Sequence, residues 1–168
     1  MNLRKLTISS LLLAIGLVLH QLVPPILFGM KPDFLLSMMF IAIALSDDYK
    51  TTVVIGLVAG VLTALTTGFP MGQVPNIIDK IITSNLVYLL FRALGNKVNH
   101  QAKMGIVSVL GTLISGTIFL GSAYILVGLP GPFLVLMAGV VLPATAFNVA
   151  ASMILYNAAH LAMKRTSY

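Results

Sequence analysis

The chain has 168 residues, enough for one domain of ordinary size, yet 58% of them are hydrophobic and only 8% are charged. A soluble domain carries roughly a quarter charged residues; a mean hydropathy of +1.03 and 60 residues from Met104 to Met163 without Asp, Glu, Lys or Arg place the chain in a bilayer instead. The net charge of +6 comes from basic residues standing in ones and twos between apolar runs, not gathered on a face or arm, which excludes nucleic acid as a partner.

A helix needs about 20 apolar residues to cross the hydrocarbon layer, and breakers and charges divide the chain into six such spans. The first runs from Leu6 to Val23 and stops at Pro24-Pro25. Arg4 and Lys5 before an apolar run resemble a secretory signal, but His20-Gln21-Leu22-Val23-Pro24-Pro25 follows without a small-x-small cleavage pattern, so the segment reads as a retained helix. The second begins at Pro32-Asp33 and ends near Ser46, short enough to imply a thinned or partly shielded crossing. The third covers Thr51 to Gly68. The fourth opens after Pro75-Asn76 and ends near Leu94, and the fifth covers Gly105 to Val127. The stretch from Phe133 to Met163 would span about 46 Å as one helix, more than a crossing needs. Pro143 divides it, which predicts an oblique or re-entrant segment to Val141 and then the sixth span, ending before Lys164-Arg165. The fold class is therefore an all-α membrane protein, with residues 1–168 forming a single six-helix domain.

Loop charges orient the bundle. With the N-terminus inside, Arg4, Lys5, Lys50, Arg92, Lys97, Lys103, Lys164 and Arg165 are cytoplasmic, and only Lys31 and Lys80 lie outside. Eight against two follows the positive-inside rule and puts both termini in the cytoplasm. Small residues at four-residue spacing, Gly56-x-x-x-Gly60, Gly111-x-x-x-Ser115 and Ser10-x-x-x-Ala14, mark where helices can approach closely.

The polar residues left over carry the chemistry. Lys31-Pro32-Asp33 stands at the mouth of the second span. In the fourth, Asn76, Asp79, Lys80 and Thr83 fall within an arc of about 100° at 100° per residue. The sixth carries a stripe of Thr145, Asn148, Ser152 and Tyr156, with Asn148 about 24 Å along the helix from Lys164. Three segments thus offer polar groups at similar depth on the outer side, where an ionisable group in a span faces a cavity or a partner. Lys31 with Asp33 and Lys80 with Asp79 suit a zwitterion: a lysine for the carboxylate, an aspartate or amides for the ammonium. The same residues also read as helix caps and local pairs, Asp33 meeting a helix dipole and Asn76 serving as an N-cap. His20, near the outer end of the first span, is a further contact candidate. The apolar, proline-stiffened segment Pro24 to Met30, with Phe28, could fold down as a lid, and Phe69 to Pro75 forms a second such loop with Gln73 as a polar contact. These walls suit an aromatic amphiphile.

Enzymatic chemistry is not expected. The chain has no Glu, no H-E-x-x-H, no G-x-S-x-G and no P-loop, so ATP-driven work must use another protein's motor. Zero Cys excludes disulfides, Cys-ligated zinc and thiol catalysis. His20, His100 and His160 are too dispersed to form one cluster, and no metal or cofactor is implied.

His20-x-x-x-Pro24-Pro25, Phe28-Gly29-Met30-Lys31-Pro32-Asp33 and the long run from Ala64-Leu65-Thr66-Thr67 through Phe69-Pro70-x-Gly72-Gln73-x-Pro75-Asn76-Ile77-Ile78-Asp79-Lys80 carry a resemblance covering nearly the whole chain. The sequence resembles the substrate-binding S components of energy-coupling factor (ECF) transporters, and more closely their bacterial tryptophan-transporter members. The resemblance implies a subunit of the bacterial cytoplasmic membrane that binds tryptophan from outside. It would work with a transmembrane coupling protein and two ATPase subunits, and release substrate by toppling. Docking in such proteins uses small residues of the first helix, here Ser10 and Ala14 with Gly16 beyond, a serine standing where alanine is usual. The candidate substrate-binding set from the residues themselves is Lys31, Asp33, Gln73, Asn76, Asp79, Lys80, Asn148, His20 and Phe28. The reading from a different class is a stand-alone small carrier, or a scaffold whose polar residues only hold helices together.

Overall fold

In a computed structural model, the structure describes residues 3–24, 33–95 and 98–165. Lys31 and Phe28 lie outside the described residues. The chain is all-helical there, with α1 (Leu3–Leu22), α2 (Phe34–Ser46), α3 (Tyr49–Thr66), α4 (Gln73–Leu94), α5 (His100–Leu126), α6 (Phe133–Leu136), a π-helical turn (Met137–Val141) and α7 (Leu142–Arg165). Among the described residues, four stretches are long and apolar enough to cross a membrane: Leu3–Leu22, Tyr49–Thr66, His100–Leu126 and Phe133–Leu161.

The pattern of burial is that of a bundle made for lipid. Leu11, Leu57, Ile125, Leu134, Phe147 and Ile154 are exposed, whereas His20, Asn76, Asp79, Lys80, Thr112, Asn148 and Ser152 are buried. In water the apolar residues would collapse inward; in hydrocarbon they cost nothing outside, and polar groups turn to one another.

α2 sits in the middle. At 13 residues it is about 20 Å long, and Leu35, Met39, Phe40, Ile41 and Ala42 are fully enclosed. A helix apolar on every side is one that other helices surround, so its short length does not meet lipid directly. Asp33 caps its start by accepting the Leu36 N–H at 3.0 Å. At its end the Lys5 ammonium donates to the Ser46 carbonyl at 2.5 Å, and Asp47 takes the left-handed conformation with φ 45° that closes many helices. Asp48 then caps α3, accepting from both the Thr51 N–H and the Thr51 hydroxyl.

Glycines bring the other helices in. A Cβ on Gly16 would lie 2.9 Å from Met38 Cβ, so α1 rests on α2 there; Gly16 faces inward, while Ser10 and Ala14 are exposed on the other side of α1. Gly56 and Gly60 bring α3 against Ser84 and Ile77 of α4, and Gly111 brings α5 against Phe40.

Three boundaries differ most from the sequence expectation. α5 starts at His100, five residues before Gly105, with Asn99 capping it by accepting the Ala102 N–H. α4 starts at Gln73, before Pro75-Asn76, because a proline in the first turn lacks only an N–H that has no helical partner anyway. The last stretch does not break into a separate re-entrant piece. It continues through the π turn, where the Leu142 N–H bonds the Met137 carbonyl. Pro143 has no N–H and its ring crowds the carbonyl four residues back; a π turn just ahead of it widens the ladder instead of ending the helix.

Candidate functional site

Side chains of α1, the cap and first turn of α2, α3, α4, α5 and α7 converge on one cavity, among them the polar His20, Asp33, Thr63, Asn76, Asp79, Lys80, Thr112, Ser115 and Asn148. Asn76, Asp79, Lys80 and Thr83, one face in the sequence, are all buried in α4. Gly60 makes this possible: a Cβ there would meet Ile77 Cα at 3.2 Å and Lys80 Cβ at 3.5 Å, so α3 lies close behind the lysine.

Lys80 is the hub. Its ammonium stands 2.6 Å from Asp79 Oδ2 and 2.7 Å from Asp33 Oδ2, with the Ser115 hydroxyl at 3.4 Å. Asp79 also accepts from the Thr83 hydroxyl at 2.8 Å and the Ser115 hydroxyl at 2.8 Å. Asp33 Oδ1 faces His20 Nδ1 at 3.3 Å. Each of these ions is hydrogen-bonded and paired, as buried charges require, with two carboxylates sharing the one ammonium.

The remaining wall is apolar. Phe69, from the loop before α4, meets Phe119 edge to face at 5.4 Å. Phe119 and Leu120 from the C-terminal half of α5, Val140 and Val141 from the π turn and Ala144 of α7 complete it. Gly116 lets Val141 approach α5. The cavity thus has charged and aromatic-apolar parts, and can hold a small molecule that is zwitterionic at one end and flat and apolar at the other.

Of the residues expected from sequence, His20, Asp33, Asn76, Asp79, Lys80 and Asn148 line this cavity. Gln73 is exposed at the start of α4 and is not among the lining residues. Asp33 meets Lys80, 47 positions away, a contact that chain adjacency cannot reveal. Ser115 and Thr112 also line the cavity, although in the sequence Ser115 reads only as a small packing residue. The signal was present in Ser108, Thr112 and Ser115, spaced four and three apart in an uncharged helix.

The described residues contain no cluster of His, Cys, Asp or Glu that could hold a metal ion. The sequence matches the family of tryptophan transporter TrpP over residues 2–164. Among similar proteins, the probable tryptophan transport protein of Clostridium acetobutylicum is 54% identical, over 98% of this chain and 96% of that protein. The probable tryptophan transport protein of Bacillus subtilis (strain 168) is 44% identical over 100% and 97%, and that of Clostridium perfringens is 44% identical over 99% and 96%. No solved structure matches. With a match that runs almost end to end and full-length relatives named as transport proteins, the chain belongs to the TrpP tryptophan transporter family and not to a family of enzymes.

Proposed function

We propose that this chain is the membrane-embedded substrate-binding subunit for tryptophan uptake, an S component that takes tryptophan from outside the cell and hands it inward. The observation that carries the reading is Lys80 held between Asp33 and Asp79 on the wall of a cavity otherwise lined by Phe69, Phe119 and aliphatic side chains. The Lys80 ammonium receives the tryptophan carboxylate, the freed aspartate receives the ammonium, and the ring lies on the apolar wall. Six spans in the bacterial cytoplasmic membrane, with both termini inside, agree with the eight-to-two distribution of basic residues. Power comes from a separate ECF module of one coupling protein and two ATPase subunits, engaged through the exposed face of α1 that carries Ser10 and Ala14.

Two measurements test this. Saturating tryptophan should raise the unfolding midpoint of the purified protein in detergent, while alanine or lysine should not; a ligand that binds only the folded state stabilises by about 2.7 kcal/mol at 100 times its Kd. No shift with tryptophan sinks the binding reading. Uptake into vesicles should require the ATPase module together with ATP; uptake by the chain alone would identify a stand-alone carrier.

A further inference from the structure

We propose that Asn148 is the acceptor that reads the ring nitrogen of the substrate and so sets the preference for an indole over other aromatic rings. This rests on the tryptophan-binding reading and names the recognition element within the same site. Asn148 is 1% exposed and lines the cavity, yet neither its Nδ2 nor its Oδ1 has a hydrogen-bond partner among the described residues. A buried amide without partners is expensive, and native structures keep few of them. Its backbone is nevertheless fixed, because the Ser37 hydroxyl of α2 donates to the Asn148 carbonyl at 3.3 Å.

Position tells what the amide meets. Along α7 from the π turn, the cavity is lined by Val140, Val141, Ala144 and then Asn148; along α5 toward its N-terminus, by Leu120, Phe119, Gly116 and then Ser115 and Thr112. The apolar wall on which a ring would lie therefore ends at Asn148. The carboxylate and ammonium of an amino acid are accounted for by Lys80, Asp33 and Asp79. An indole has one polar atom left, an N–H that donates and cannot accept, and Asn148 Oδ1 is an acceptor without a donor. A site built to hydrogen-bond a ligand N–H rejects the analogue that lacks it, since the protein group is then buried unpaired.

The test compares tryptophan with 3-benzothienylalanine, in which sulfur replaces the N–H in a ring of nearly the same shape, by titration calorimetry on the full chain in detergent. The unaltered protein should prefer tryptophan by about 10- to 100-fold. Asn148→Leu should bring the two affinities within about threefold of one another, whereas Thr112→Val, which removes another unpartnered polar group of the cavity lining, should keep the preference. If Asn148→Leu does not fold, Asn148→Ala reads the same ratio. Equal affinities in the unaltered protein overturn the inference. So does an Asn148 variant that weakens both ligands equally, the mark of a merely structural amide, and so does a preference lost in Thr112→Val instead. Failure of the unaltered protein to bind tryptophan at all is a separate result, overturning the function on which the subsite depends.

Discussion

Without the Lys80 ammonium, Asp33 and Asp79 would face the cavity with no cation between them, both carboxylates having been paired at 2.6–2.7 Å. Breaking a buried pair by deleting one partner typically costs about 3–5 kcal/mol, so Lys80→Met should lower the unfolding free energy in detergent by that order. Adding Asp79→Asn to that variant should recover part of the loss, because one orphaned charge is gone, while tryptophan binding stays abolished in both. A different aspartate contributes to the acid limb. The Thr51 hydroxyl and N–H hold the Asp48 carboxyl below its ordinary value of 3.8. A depressed carboxyl stabilises the fold above its unfolded pKa, and that contribution disappears as pH falls through the lower, folded value. The melting temperature should therefore drop more steeply below about pH 4 in the unaltered protein than in Asp48→Asn, a comparison that a pH series of thermal melts makes directly. Which residues are charged and scarce was legible in the sequence; which charge faces which was not, because Asp33 and Lys80 meet only after three helices have packed.

The α3–α4 contact depends on the absence of side chains. A Cβ on Gly56 would overlap the Ser84 hydroxyl, lie 2.7 Å from Ser84 Cβ and 3.1 Å from the Lys80 carbonyl. Gly56→Ala should therefore destabilise by about 1–3 kcal/mol and weaken tryptophan binding, because the displaced helix carries Asp79 and Lys80; Ser84→Gly in the same chain should restore both. Gly121→Ala is the control, since nothing lies within 4 Å of a Cβ there and the loss of a helical glycine should stabilise by up to about 1 kcal/mol. Helix positions followed readily from apolar run length and breakers, and Gly56 and Gly60 were identifiable as contact points from spacing alone. The π turn was not, since a proline within an apolar run announces an interruption without saying whether the helix ends, kinks or widens. The short run of the second span implies a thinned or a partly shielded crossing, and only packing decides that α2 is enclosed by its neighbours.

The whole molecule inverts the soluble pattern, with polar side chains gathered inside an apolar exterior, and that much follows from charge scarcity. The absence of cysteine makes the proposed topology directly measurable. Single cysteines at Met71 and Gly131, in loops placed outside by the six-span reading, should react with an impermeant maleimide on intact cells. One at Asn99 should react only after permeabilisation, and the reverse pattern would turn the bundle over. The paired lysine has a further consequence for energetics across the membrane. In the proposed function, an arriving zwitterion would exchange partners with the cluster of Lys80, Asp33 and Asp79 and add no net charge. The loaded and unloaded proteins then have the same valence, so loading draws nothing from the membrane voltage, which acts at about 2.3 kcal/mol per elementary charge per 100 mV. In the proposed function, accumulation against a gradient would then need an energy source other than the substrate's own charge.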